Sequence, residues 1–472
     1  MKLAVSRRLN ATSEDDSDSS TPGETDAENS GGPGAACPEW LARYWDVKRC
    51  RWMISRQLVM DALTQDESLA GVLALNELSG NIEARRDWPW MHGRAGPIKG
   101  STDLMLGLYL SDTYGLPSIP RAALTEAIDS IAQSSLFHPI RDYLVQLEWD
   151  NQPRLDQWLS RVLYDDRDRI SPALSEYVGL VGRFLILGMV YRVMQPGCKF
   201  DYCPVFEGPG GLGKSTLVKT LAGKSYFSDA YFNLARGKEG QEQVQGLWLY
   251  EISELSSFSK AEIALIKAFI SAQVDRYRPS YGRVVESYPR QCIMVGTTNE
   301  TSYLRDRTGN RRFWPVPVTR RIHLNWLESQ RDQLFAEAFV RFQRGERYTP
   351  TPEEELRLFY PMQESRLVET AVMSEMHDLL TRTPHLSGIG AEVHGMANFV
   401  TLAQLTQALG VTAAKSSAPL EKQIRDWLQF EGWVRIRKQV AGARVWGYER
   451  PQGWPSGRDF QRDQGFDTGE QR

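Results

Sequence analysis

Gly208-Pro209-Gly210-Gly211-Leu212-Gly213-Lys214-Ser215-Thr216 decides how the rest of this sequence is read. The stretch matches G-x-x-x-x-G-K-[ST], with Gly208, Gly213, Lys214 and Ser215 at the fixed positions. Glycines, here also Gly210 and Gly211, let a loop wrap close to phosphates so that backbone N–H groups point inward. The lysine reaches the β- and γ-phosphates, and the serine hydroxyl, with Thr216 beside it, can hold Mg²⁺. Such a loop needs a strand before it and a helix after it. Tyr202-Cys-Pro-Val-Phe206 is a short apolar run with Pro204 as a blemish, and Ser215 to Ala222 is helix-compatible and stops at Gly223. Loop and flanks together predict an α/β fold that binds ATP and Mg²⁺, rather than a chance glycine turn.

Working outward, residues 200–318 alternate short apolar runs with helices and loops, as an α/β core does. Leu247–Tyr250 and Gln291–Gly296 read as central strands, with a helix over Lys260–Ser271 between them. Hydrolysis needs acids to hold Mg²⁺ and polarise water. Glu251 and Glu254 follow the first of these runs; one is expected to act on Mg²⁺ and the other as base, and the sequence leaves open which does which. The second run leads into Thr297-Thr298-Asn299, where a polar side chain at a strand tip can orient the attacking water. Asn299 is the candidate.

Arg305, Arg307, Arg311 and Arg312 crowd into eight residues before Phe313-Trp314-Pro315. Guanidinium groups suit the charge of a phosphoryl transition state, and one supplied by a neighbouring subunit couples hydrolysis to assembly. Arg311 and Arg312 are the candidates; a salt-bridged loop or a DNA-phosphate contact is the competing reading. Between residues 275 and 290, Arg276, Arg278, Arg283 and Arg290 interleave with Tyr277, Tyr281 and Tyr288 around a Pro-Ser-Tyr-Gly turn. Arginine with aromatics suits phosphate contact and base stacking in a DNA-binding hairpin. A plain solvated hairpin competes with that reading.

The remaining chain frames this core. Glu14, Asp15, Asp16, Asp18, Glu24, Asp26 and Glu28 lie in one tail without a lysine or arginine between them; leaving those seven out turns the net charge of −3 into +4. Residues 1–36 therefore read as an acidic disordered tail, 37–195 as a mainly helical region, 196–320 as the ATPase core, and 321–381 as a helical extension. Residues 398–450 follow a helix, helix, β-hairpin order, that of a winged helix, with Arg435, Arg437, Lys438 and Arg444 on the hairpin; 451–472 read as a disordered tail. The five cysteines fit neither a zinc site nor a disulfide framework and suit a reducing cytoplasm. The most apolar run, Val178 to Met194, carries Arg183 and Arg192, so it reads as a buried helix and no membrane partner is expected.

The motifs Phe137-His-Pro-Ile-Arg-Asp-Tyr-Leu144, Glu148-Trp-Asp-Asn-Gln-Pro-Arg-Leu-Asp156, the glycine loop, Glu251 with Glu254, Arg278-Pro-Ser-Tyr-Gly-Arg283, Gly296-Thr-Thr-Asn299 and Thr308-Gly-Asn-Arg-Arg-Phe-Trp-Pro-Val316 run in one order over residues 137–318. In this the chain resembles the virulence-associated protein E family, P-loop proteins of phages, plasmids and genomic islands. The resemblance implies an AAA+-like core similar to superfamily 3 helicases, which act on DNA as hexameric rings. In such rings the ATP site lies between subunits and a hairpin before the sensor strand grips the DNA. Carried over, Lys214, Ser215, Glu251, Glu254, Asn299 and Arg311 or Arg312 take the ATPase roles, and residues 276–290 the DNA role. The function expected is an ATP-dependent helicase or translocase in replication of a mobile element. The alternative is an ATP-switched initiator or anti-phage ATPase that does not unwind DNA.

Overall fold

The computed structural model describes residues 37–452 apart from 166–167, 169, 232–236, 280–283, 305–308, 368–370, 383–397, 411–417 and 441. Residues 1–36, 383–397 and 453–472, with Tyr281, Arg283, Arg305 and Arg307, thus lie outside the described residues. The chain divides into two units. Asn81–Phe137 and the described residues before 77 form one; Glu77–Gly80 and the chain from His138 form the other.

In the first unit, Ser55 caps helix α1 (Arg56–Gln65) by accepting from the Leu58 amide. Strands β1 (Leu73–Asn76), β2 (Ile82–Ala84) and β3 (Gly96–Pro97) follow, then α2 (Thr102–Tyr114), α3 (Arg121–Ser134) and β4 (Leu136–Phe137). The sheet order is β3-β2-β1-β4, with β4 parallel to β1 and the other pairs antiparallel. This corrects, for residues 40–110, the mainly helical reading of 37–195. Leu73-Ala-Leu-Asn and Ile82-Glu-Ala are too short for an alternation signal, and leucine and alanine favour helix by intrinsic propensity. Tertiary pairing overrode that preference.

The second unit opens with α4 (Pro139–Gln146), α5 (Trp158–Leu163) and α6 (Pro172–Met194). Ser171 caps α6, accepting from the Leu174 amide, and Pro172 occupies its first turn. Apolar on every side, α6 is long and apolar enough to cross a membrane, yet 61% of its most apolar window is buried inside the protein. It packs between α5 and the later helix α9 (Leu324–Gln343).

Between these helices runs the core sheet: β5 (Cys203–Glu207), then α7 (Lys214–Ala222), β6 (Phe227–Ser228), β7 (Leu249–Ile252), α8 (Lys260–Ile270), the hairpin β8 (Val274–Tyr277) and β9 (Glu286–Pro289), β10 (Ile293–Thr298) and β11 (Phe313–Pro317). Five strands pair in parallel in the order β11-β5-β10-β7-β6. Helices cover both faces. Phe206, Leu249, Val295 and Val316 face α6, α7 and α9, while Val205, Tyr250 and Met294 face α8. Two-sided burial explains why the strands read as unbroken apolar runs. Pro204 is tolerated because β5 pairs with β10 only from Val205 onward, and Pro315 and Pro317 because β11 is an edge strand.

Toward the C-terminus come α10 (Ala371–Arg382), β12 (Phe399–Val400), α11 (Leu402–Ala408), α12 (Ala418–Phe430), β13 (Val434–Val440) and β14 (Ala443–Glu449). The last strands form a sheet in the order β12-β14-β13. Met376, Leu380, Val400, Leu405, Ile424, Trp427, Leu428, Trp433 and Tyr448 make a core of their own there.

Candidate functional site

The glycine loop leaves the carboxyl end of β5, between β11 and β10, and delivers the chain to the amino end of α7. In open parallel sheets this end of the strands is where ligands bind. Gly208, Gly211 and Gly213 hold φ of 138°, 78° and 96°, in the region that favours glycine. A Cβ on Gly208 would meet the Val318 carbonyl oxygen at 2.1 Å. Lys214 is buried at the first turn of α7, and its ammonium donates to the carbonyls of Gly208 and Pro209 and, at 3.1 Å, to Asn299 Oδ1. Burial lowers its pKa, and the nearby carboxylates of Glu254 and Glu251 oppose the shift.

Glu251 sits inside β7 rather than beyond it, because the strand runs two residues later than the apolar run Leu247–Tyr250 predicts. Strand alternation places Leu249 and Glu251 on the α7 face, level with Val295 on β10. Glu251 Oε1 accepts the Ser215 hydroxyl at 2.7 Å and the Thr297 hydroxyl at 2.6 Å. Among the described residues its Oε2 is buried without a hydrogen-bond partner. Glu254, by contrast, is exposed, stands two residues past the strand at φ 52°, and accepts from Asn299 Nδ2 at 3.2 Å. Asn299, the first residue after β10, therefore bridges Lys214 and Glu254.

Two contributors were not legible in advance. Thr297 shares the Glu251 carboxylate; Gly296-Thr-Thr-Asn299 flagged the motif without a role for this residue. The segment after β11 lies on the loop: Ile322 donates its amide to the Leu212 carbonyl, and Leu324 Cδ1 is 3.4 Å from where a Gly213 Cβ would stand. Exposed Arg321 borders that contact.

Arg311 and Arg312 lie elsewhere. They precede β11, whose first residue, Phe313, is level with Cys203 at the start of β5. The loop begins five positions later along β5, about 16 Å at ~3.3 Å per residue. The two arginines therefore sit at the opposite end of the sheet from their own chain's glycine loop. Arg311, half-exposed, pairs with buried Asp201 at 3.1 Å, and Arg312 donates to the Ser271 hydroxyl at 2.7 Å.

In the β8–β9 hairpin, Arg276 and Arg278 are exposed, and the Tyr277 and Tyr288 rings stack at 4.9 Å. Arg290 departs from the expectation of a DNA-contacting residue. Its side chain is almost fully buried, donates to both carboxylate oxygens of Asp275 and to the Phe269 carbonyl, and lies over the Phe269 ring. It follows β9 where the chain turns back into the core sheet, so it anchors the hairpin base instead of facing solvent.

Residues 144–368 match the family model described as the virulence-associated protein E-like domain. Over that span, just under half of the chain, it is similar to virulence-associated protein E-like domains. All the site residues above fall inside that VapE-like span. No curated protein matches the chain. Among solved structures, an A-form apo structure of the NrS-1 C-terminal region aligns at 12% identity and a TM-score of 0.44, covering 84% of this chain and 100% of that one. A second apo structure of the same region aligns at 13% identity and a TM-score of 0.42, covering 80% and 96%.

Proposed function

We propose that this protein is an ATP-hydrolysing motor that acts on DNA as a ring of identical subunits, probing and moving along a strand during replication of a phage, plasmid or genomic island. The observation that carries the reading is the placement of two half-sites at opposite ends of one parallel sheet. Lys214, Ser215, Glu251, Glu254 and Asn299 converge at the carboxyl end, and Arg311 and Arg312 stand at the amino end. A head-to-tail assembly brings the arginines of one copy to the loop of the next, and a rotation that closes makes a ring.

Within the site, the Lys214 ammonium exchanges its loop carbonyls for the β- and γ-phosphate oxygens of ATP. Ser215 and Glu251 are suited to Mg²⁺: a buried carboxylate with one oxygen lacking a partner, beside a hydroxyl, supplies the few protein oxygens this ion takes along with phosphates and water. Bound there, Mg²⁺ neutralises charge on the phosphates. Glu251 thus takes the metal side. Glu254, exposed and hydrogen-bonded to Asn299, takes the attacking water's proton while the Asn299 amide orients that water. Arg311 or Arg312 of the neighbour stabilises transition-state charge. Arg276 and Arg278, with Tyr281 and Arg283, contact the DNA backbone.

Strand displacement measured with Lys214→Ala and Arg312→Ala as inactive controls tests the reading. ATP-dependent displacement by the unaltered chain is expected. DNA-stimulated hydrolysis without displacement in the assembled protein would overturn the motor and leave an ATP-switched initiator or defence ATPase.

A further inference from the structure

The C-terminal hairpin has two unlike faces. In β13 and β14, Arg435 stands opposite Tyr448, Arg437 opposite Trp446, and Gln439 opposite Arg444. Residues directly opposed in an antiparallel pair project to the same side of the sheet. Tyr448, at the inner end, is buried in the local core. The rest of that side carries Arg435, Arg437, Gln439, Arg444 and Trp446, all exposed, with no carboxylate among these cross-strand pairs.

The other side is occupied. Phe399 lies on Gly447, where an added Cβ would come within 2.3 Å of its ring, and Lys438 pairs with Glu449 at 3.5 Å. On the first side no ion pair is made by Arg435, Arg437 or Arg444 among the described residues. Trp446 is 55% exposed and takes no part in the core, and the Arg435 guanidinium lies 4.9 Å over its ring. A large aromatic left in water between three uncompensated guanidinium groups is costly for a free surface. It matches a strand of nucleic acid, whose phosphates supply the missing charge and whose unstacked bases find a ring to lie on.

We propose that this face of β13–β14 is a second nucleic-acid contact, specific for a single strand. Arg437 and Arg444 take phosphates, and Trp446, backed by Arg435, stacks on an unpaired base. The site lies outside the VapE-like span and does not depend on the ATP reading.

The test is binding of a fluorescein-labelled single-stranded oligonucleotide to the full chain, without nucleotide, across a range of salt concentrations. In Arg437→Ala/Arg444→Ala the slope of log affinity against log salt falls by roughly 1.4, about 0.7 for each lost phosphate contact. Trp446→Ala weakens binding about tenfold at constant slope, and Trp446→Phe restores most of it. Thermal melts of all three variants match those of the unaltered chain, which reports that they fold. An unchanged slope in the arginine variant, or unchanged affinity in Trp446→Ala, overturns the proposal. Tighter binding of the matching duplex also overturns it. A response to the arginines alone would leave phosphate attraction without base stacking and overturn the single-strand assignment. Lys214→Ala keeps full strand binding in this assay, so failure of the motor reading and failure of this one are separable.

Discussion

Glu254 is the residue in the site with the most unusual backbone. At φ 52° it occupies the left-handed region, which costs a side chain with a Cβ roughly 1–2 kcal/mol. Such strain persists where the surroundings over-determine it. Here Leu255 behind it is fully buried, and the Asn299 amide holds its carboxylate. On the proposed mechanism, Glu254→Gln preserves nucleotide binding but lowers the turnover rate by about 10²–10⁴-fold, the usual contribution of a general base. Equilibrium binding of a fluorescent ATP analogue beside a phosphate-release assay checks both halves. Gly208→Ala fails in another way. Its φ of 138° and the Val318 carbonyl leave no space for a methyl group, so nucleotide binding itself is lost, as isothermal titration would register.

At the scale of elements, the glycine loop is tied to the helical extension by one buried ion pair. Glu207, the last residue of β5, accepts from Arg366 Nε at 2.8 Å, and the pair is almost wholly removed from water. Burial raises the Glu207 pKa, and the Arg366 guanidinium counters that shift. The Arg366 carbonyl in turn accepts from the amides of Tyr303 and Leu304, on the chain that leads toward Arg311. Arg366→Ala strands a buried carboxylate, and a loss of about 3–5 kcal/mol in denaturant unfolding is expected. His138 does related work at the start of α4. Its Nδ1 accepts from the Arg141 amide and its Nε2 meets Gln291 Oε1 at 2.7 Å, beside the entry to β10. Burial lowers its pKa below the ordinary 6.5. The unfolded chain therefore takes up the proton first, and stability present above pH 6.5 is lost as pH falls toward the depressed folded value. His138→Asn keeps a capping acceptor and removes this acid-side loss, which thermal melts across that interval would reveal.

For the whole molecule, the proposed division of the ATP site between two ends of the sheet makes a direct prediction. The double variant Arg311→Ala/Arg312→Ala and Lys214→Ala are each inactive alone. Mixed together they regain part of the ATPase activity, because an intact loop from one variant can meet an intact arginine from the other. Additive inactivity on mixing, under conditions where both variants assemble, would place the arginines outside the ATP site. Particle symmetry with ATP and DNA present gives the subunit number. How much of this was legible varies by residue. Lys214, Ser215 and Gly208 announce themselves because phosphate binding constrains consecutive residues in one loop. Glu251 was recognisable as an acid after an apolar run, but its pairing with Ser215 and Thr297 joins three segments far apart in sequence. Arg290 looked like its neighbours Arg276 and Arg278, since nothing local distinguishes an arginine that turns inward.

The sequence by itself determined the strand–loop–helix unit, the apolar runs of a sheet buried on both faces, and the set of residue types available for nucleotide chemistry. Those properties follow from local backbone demands and from periodicity, which act over a few residues. Only the tertiary structure decided that Glu251 lies inside its strand and Glu254 outside, that short Leu- and Ala-rich runs in the first unit pair as strands, and that Arg311 and Arg312 stand at the far end of the sheet from Lys214. Parallel pairing sets the first and last of these, because it fixes the register between segments about 45 to 110 residues apart; in the first unit mostly antiparallel pairing overrides local preference.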